Sequence, residues 1–163
     1  MKKILLILVV IISFGITANA QESKLRIAVI DLSGTGNSDS NWANAKTITS
    51  LLTTELVNTK RYRVVERSKI EQILSEQGLQ ASQAASAQAV ELGKLLGVHK
   101  IITGEYSGIG YFHGTTSIRL IDVETGDIEA AITIKNGIYD KKGRFQRNLS
   151  YEEIAKKIVS ELF

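Results

Sequence analysis

The chain has 163 residues, 44% of them hydrophobic and 23% charged, with a formal net charge of +3. That length suits one domain, large enough to bury a core without covalent staples. With no cysteine and no proline, it has no disulfide, no thiolate metal site and no turn set by a proline ring, and a cysteine-linked lipid anchor is not expected.

The amino terminus reads as a targeting segment. Lys2 and Lys3 precede a mostly apolar run at residues 4–14, and Ala18-Asn19-Ala20 follows as a small-x-small cleavage site. This is the pattern of a secretory signal peptide over residues 1–20, with cleavage expected before Gln21 and one domain over 21–163. The run falls short of the ~20 residues a spanning helix needs, and no transmembrane segment is expected in the mature chain. Without residues 1–20 the chain holds 18 basic and 17 acidic residues. A balance so close to neutral gives no electrostatic case for nucleic acid.

Residues 25–32, LRIAVIDL, are apolar on both alternating faces except at Arg26 and Asp31. A strand apolar on both sides implies a sheet covered by helices on both sides. The connection SGTGNSDSN reads as a loop. Trp42, Ala45, Ile48, Leu52, Leu56 and Thr59 then recur at three and four, which predicts an amphipathic helix over about 41–58. Residues 61–66 predict a short strand. Ser68 and Glu71 predict a capping box at the next helix, with Ile70, Ile73 and Leu74 as its buried stripe and Gly78 as its stop. QASQAASAQ is a low-complexity stretch. Residues 89–96 predict a helix stopped by Gly97, with Gly93 tolerated inside it for close packing. VHKIITGEY predicts a strand, and TSIRLIDVETGDIEAAITIK predicts a hairpin turning at Gly126. Residues 137–149 leave room for one more short strand. Ser150 and Glu153 form a second capping box, and Ile154, Ile158 and Leu162 line the helix it starts.

Signals of chemistry are sparse. The VIDLSGTGN stretch has G-x-G without a third glycine and lacks G-K-[ST], so it reads as a flexible connection, with Asp31 as a turn-former. His99 and His113 belong to no metal-ligand spacing, and no G-x-S-x-G occurs. No catalytic, cofactor or metal residue is expected, and an enzyme is the less favoured class. The segment 104–116, GEYSGIGYFHGTT, places Tyr106, Tyr111 and Phe112 among glycines; aromatics there suit either a partner-binding loop or packing on the sheet edge. Residues 135–148, KNGIYDKKGRFQRN, are basic and turn-rich, suiting a solvated hairpin end or a contact patch.

Three stretches occur in a telling order: YRVVERSKIEQILSEQGL, ELGKLLGVHKIITGEY and SIRLIDVETGDI. Together they resemble the landmarks of the CsgG family, which includes the curli secretion channel and is related to LpoB-type activators of cell-wall synthases and to the TolB amino-terminal domain. The resemblance implies an α/β fold, a mixed sheet of about five strands flanked by helices with an anticodon-binding-domain-like core. It also implies an exported, periplasmic, non-enzymatic protein, peripheral to the outer membrane, with protein partners in the cell envelope and a tendency to form homo-oligomers. The intervals 104–116 and 134–150 are too short or too charged for the channel's membrane hairpins, so the core is expected without a pore. The readings this leaves open are secretion or envelope assembly by protein contact, activation of a cell-wall synthase, and small-molecule binding through residues 33–37.

Overall fold

The computed structural model describes residues 24–36, 39–78, 88–109 and 113–163. The elements are β1 (Arg26–Val29), β2 (Ser33–Thr35), α1 (Asp39–Asn58), β3 (Arg63–Val64), α2 (Arg67–Glu76), α3 (Ala89–Leu96), β4 (Lys100–Ile109), β5 (His113–Asp122), β6 (Ile128–Lys135), β7 (Gly137–Tyr139), β8 (Phe145–Asn148) and α4 (Tyr151–Leu162). The main sheet runs β3-β1-β4-β5-β6, and β2 also pairs with β4. The β1, β2 and β3 pairings are parallel, and β4, β5 and β6 are antiparallel. β7 and β8 form a separate two-stranded sheet. The expected mixed α/β sheet is therefore present, with more strands than were expected.

The two-sided character of β1 has a direct structural counterpart. Ile27 and Val29 point into a core built with Ala45, Ile48, Leu52 and Leu56 of α1 and Ile154 and Ile158 of α4. Ala28 and Ile30 point into a second core with Ile70, Ile73 and Leu74 of α2 and Ala89, Leu92 and Leu96 of α3. Each fully buried Ile or Leu contributes roughly 1.5–3 kcal/mol, so the two helix layers are held on by apolar burial.

Between β1 and β2 the register slips by one. Val29 lies opposite Ile102, whereas Ser33 lies opposite Glu105. Residues 30–32 thus face only residues 103–104, and the chain bulges. The bulge exchanges the faces: Ile30 sits in the α2/α3 core and Leu32 in the α1/α4 core. The Leu32 amide, outside the ladder, donates to Thr49 Oγ1 at 3.1 Å.

Several local expectations change. The connection after β1 is an ordered strand, β2. α1 turns Trp42 outward at 44% exposure and buries Asn41 and Thr49 instead. Its polar inward residues close backbone groups: Asn41 Nδ2 donates to the carbonyls of Thr35 (2.6 Å) and Gly108 (3.2 Å). The strand expected over 61–66 shrinks to two residues.

α2 starts at Arg67 with Glu66 at the cap and no side-chain capping bond. Ser68 is already inside the helix, and Glu71 accepts from Arg67 Nε at 2.8 Å, so the expected capping box does not form. The box at Ser150 and Glu153 does form. Gly97 ends α3 at φ +62. Gly93 is in close contact: a Cβ there would lie 2.6 Å from Val123 Cγ2 and 2.8 Å from Ile101 Cδ1. Residues 137–149 supply two strands rather than one. The low-complexity stretch lies outside the described residues except for Gln88.

Candidate functional site: the half-open sheet

The face of the sheet that packs on α2 and α3 is covered only in part. At its base Ala28, Ile30, Ile101 and Ile121 are buried under the two helices. Farther along the same strands the residues of the same face turn polar. Strand pairing aligns Ser33, Glu105, Ser117 and Thr133 in one row, and Thr35, Ser107, Thr115 and Lys135 in the next. Each of these eight side chains is partly or fully exposed. With strands ~4.8 Å apart, a row of four spans about 14 Å. Among the described residues no helix lies over this area, and its border is Thr103, Arg119 and Ala131, also aligned across three strands.

The opposite face of the same strands is closed. Tyr106, Ile118 and Ile134 there belong to the α1/α4 core. Gly34 of β2 sits directly under α1: a Cβ would fall 2.5 Å from the Trp42 amide nitrogen. Only glycine admits that approach, so the residue that fixes α1 on one face also fixes Ser33 and Thr35 on the other. Ser33 Oγ donates to the Gly104 carbonyl at 3.4 Å and Thr35 Oγ1 to the Tyr106 carbonyl at 3.3 Å. Ser117 Oγ and Thr133 Oγ1 are 3.3 Å apart. The result is a surface of short hydroxyls, with those of Ser33 and Thr35 left to accept, and with Glu105, Arg119 and Lys135 as its charges.

The titratable groups with displaced pKa values lie off this surface. Burial pushes the Asp31 carboxyl up, against the pull of Arg67, whose Nη2 is 2.6 Å away. Asp31 is thus an ion-pair partner at the bulge, not a turn-former. Lys100 is raised by Asp122 (2.6 Å) and Glu129 against the opposing effect of its own burial. Asp122 is lowered to about 2 by Lys100 and the amides of Thr125 and Glu124. Glu153 is lowered to about 2 by Arg147 and the Ser150 amide. These are structural clasps at turns and caps. Among the described residues no group of three or more His, Cys, Asp or Glu could hold a metal ion, and no helix is long and apolar enough to cross a membrane.

The aromatic segment is placed differently from the sequence reading. Residues 104–109 belong to β4, and β5 resumes at His113. Tyr106 is only 6% exposed and meets Tyr151 edge-on, with ring centroids 6.4 Å apart. It is a core residue; Tyr111 and Phe112 lie outside the described residues. His99 closes the sheet base, its Nδ1 accepting from the Arg26 amide at 3.0 Å. The residues proposed for a small ligand, 33–37, begin as β2. A hollow of about 310 Å³ lies instead at the base end of the sheet, lined in part by Leu25, Tyr62, Lys100 and Phe163. The polar rows were missed by sequence reasoning. Their signal, hydroxyls alternating with Ile in TTSIRLID and EAAITIK, becomes readable only once the strands are in register.

The architecture is that of a three-layer α/β domain with one sheet face half open. Residues 12–111 match the model of the family described as curli production assembly/transport component CsgG, and the chain belongs to that family. The fold is similar to the LpoB C-terminal domain from Escherichia coli, with TM-score 0.55 and 20% identity over 76% of this chain and 90% of that one. It is also similar to lipoprotein GNA1162 from Neisseria meningitidis, with TM-score 0.54 and 15% identity over 85% and 93% of the two chains. A dodecameric PelC variant from Paraburkholderia phytofirmans gives TM-score 0.51 and 14% identity over 85% and 89%. Comparison with curated protein sequences yields no significant match.

Proposed function

We propose that this is an exported envelope protein that acts by protein–protein contact, presenting the polar half of its sheet to a partner and forming no pore of its own. The observation that carries the reading is the aligned, uncovered hydroxyl rows on a face whose other half is fully packed. A sheet face left polar and flat costs the fold apolar burial at that place, and a contact surface gives a reason for it. Membership of the CsgG family, with the amino-terminal targeting pattern, supports the envelope as the setting. The similarity to a subunit of a dodecamer supports self-assembly as part of the reading.

A photo-crosslinking amino acid placed at Ser117 or Thr133 in intact cells tests it. The expected result is a discrete protein adduct at both positions and none at Lys157, on the exposed side of α4. Adducts at Lys157 alone, or none at the sheet, would sink the reading. The identity of the adduct separates its two versions: secretion components favour secretion or assembly, and a cell-wall synthase favours an LpoB-like activating role. Ion conductance by the purified protein in liposomes would rule out the pore-free part.

A further inference from the structure

We infer that the β7–β8 hairpin is a foothold for an anionic lipid surface. The hairpin, residues 137–148, carries Lys141, Lys142, Arg144 and Arg147 against Asp140, a net +3, equal to that of the whole chain. The rest of the chain is therefore neutral in sum, and the net positive charge is that of one arm.

The arm's geometry fits a surface rather than a cavity. β8 is exposed along its length, and a Cβ on Gly143 at the turn would meet nothing within 4 Å. The turn projects, and it carries the exposed Lys141 and Lys142. The one carboxylate within the arm shapes it and pairs with Arg144, leaving Lys141 and Lys142 as the turn's outward charges: Asp140 accepts from the amides of Lys142 (2.8 Å) and Arg144 (2.9 Å) and from Arg144 Nε (2.8 Å). Arg147 anchors the arm to α4 through Glu153 at 2.7 and 2.8 Å. Tyr139 and Phe145 stand 44% and 38% exposed, edge to face at 5.8 Å.

Exposed aromatic rings beside lysines are the pairing that lodges at headgroup level. The rings enter the interfacial zone and the ammonium groups meet anionic headgroups. A projecting turn with long, flexible cations matches a fluid charged plane better than the concave pocket of a protein. The inference is independent of the sheet-face reading, which stands or falls on its own crosslinks.

Vesicle sedimentation tests it with protein purified after export, its amino terminus read by mass spectrometry and shared by every variant. Binding is expected to phosphatidylethanolamine–phosphatidylglycerol vesicles, weakening as salt rises, and not to phosphatidylcholine vesicles. Lys141→Glu/Lys142→Glu should weaken binding by on the order of tenfold or more. Tyr139→Ser/Phe145→Ser should weaken it severalfold, with thermal unfolding as the check on folding. If the aromatic variant loses the hairpin, Phe145→Trp in a Trp42→Phe background still decides, through a blue shift of emission on anionic vesicles. No binding to either vesicle, equal binding to both, or binding unchanged in the lysine variant overturns the inference. Capture by immobilised polyglutamate without vesicle binding would overturn it in favour of an acidic protein partner.

Discussion

Ile101 and Glu105 lie on the same strand and the same face, about 13 Å apart along it. Ile101 is sealed under α3, and Glu105 stands in solvent among hydroxyls. Alternation along a strand says which face a residue takes, but not whether that face has a cover. The cover is decided by where α2 and α3 end, which the strand's own alternation does not encode. In this molecule the base of the sheet holds the fold together and the outer half is free for other work.

The contrast is open to direct attack. Ile101→Ala should destabilise by ~2–5 kcal/mol, read from urea unfolding, because it opens a cavity between β4 and α3. Gly93→Val should cost ~1–3 kcal/mol by the same measurement, since the added methyls drive α3 off Val123. If either change were neutral, α3 would not be seated as described. Ser150→Ala should cost about 1 kcal/mol through loss of the α4 cap, whereas Ser68→Ala, which caps nothing, should not.

Acid should act next. The folded-state values of Glu153 and Asp122, about 2 each, lie below their ordinary 4.5 and 3.8. Stability from these groups is present above about pH 4.5 and is lost as pH falls toward 2. Asp31 works in the opposite sense: its raised value means its contribution shrinks as pH rises through it. Melting temperatures across this range should fall toward acid, and Glu153→Gln should flatten the fall. The smallest effect belongs to the polar face: Thr133→Ala should stay within ~0.5 kcal/mol. A large loss there would mean the face is part of the core after all.

How far the sequence could be read is clearest in its two S-x-x-E stretches. Both promised a capping box, and only Ser150 delivers one. Near Ser150, Arg147 grips Glu153 and holds it where the cap needs it. Near Ser68, Arg67 draws Glu71 to itself while reaching Asp31, 36 residues away. A local signal is overruled by a partner that only the tertiary fold supplies. The same holds for Trp42, whose spacing suited the buried stripe but whose place is taken by Asn41 in closing β2 and β4. The element order, the helix layers and the hairpin were legible because their apolar periods are long. The polar rows were not, because they depend on pairing between four strands.

The one-residue slip between β1 and β2 gives length a different meaning from identity in this stretch. A substitution at Asp31 would cost an ion pair with Arg67. Removing one residue from 30–32 would instead leave two residues opposite 103–104, the count of an unbroken ladder, and straighten the bulge. Ser33 and Thr35 would keep their side and Gly34 its place beneath Trp42, but the bulge that frees the Leu32 amide for Thr49 would be gone. The extra residue at 30–32 therefore serves the Asp31–Arg67 pair and the Leu32–Thr49 bond, not the side that β2 presents.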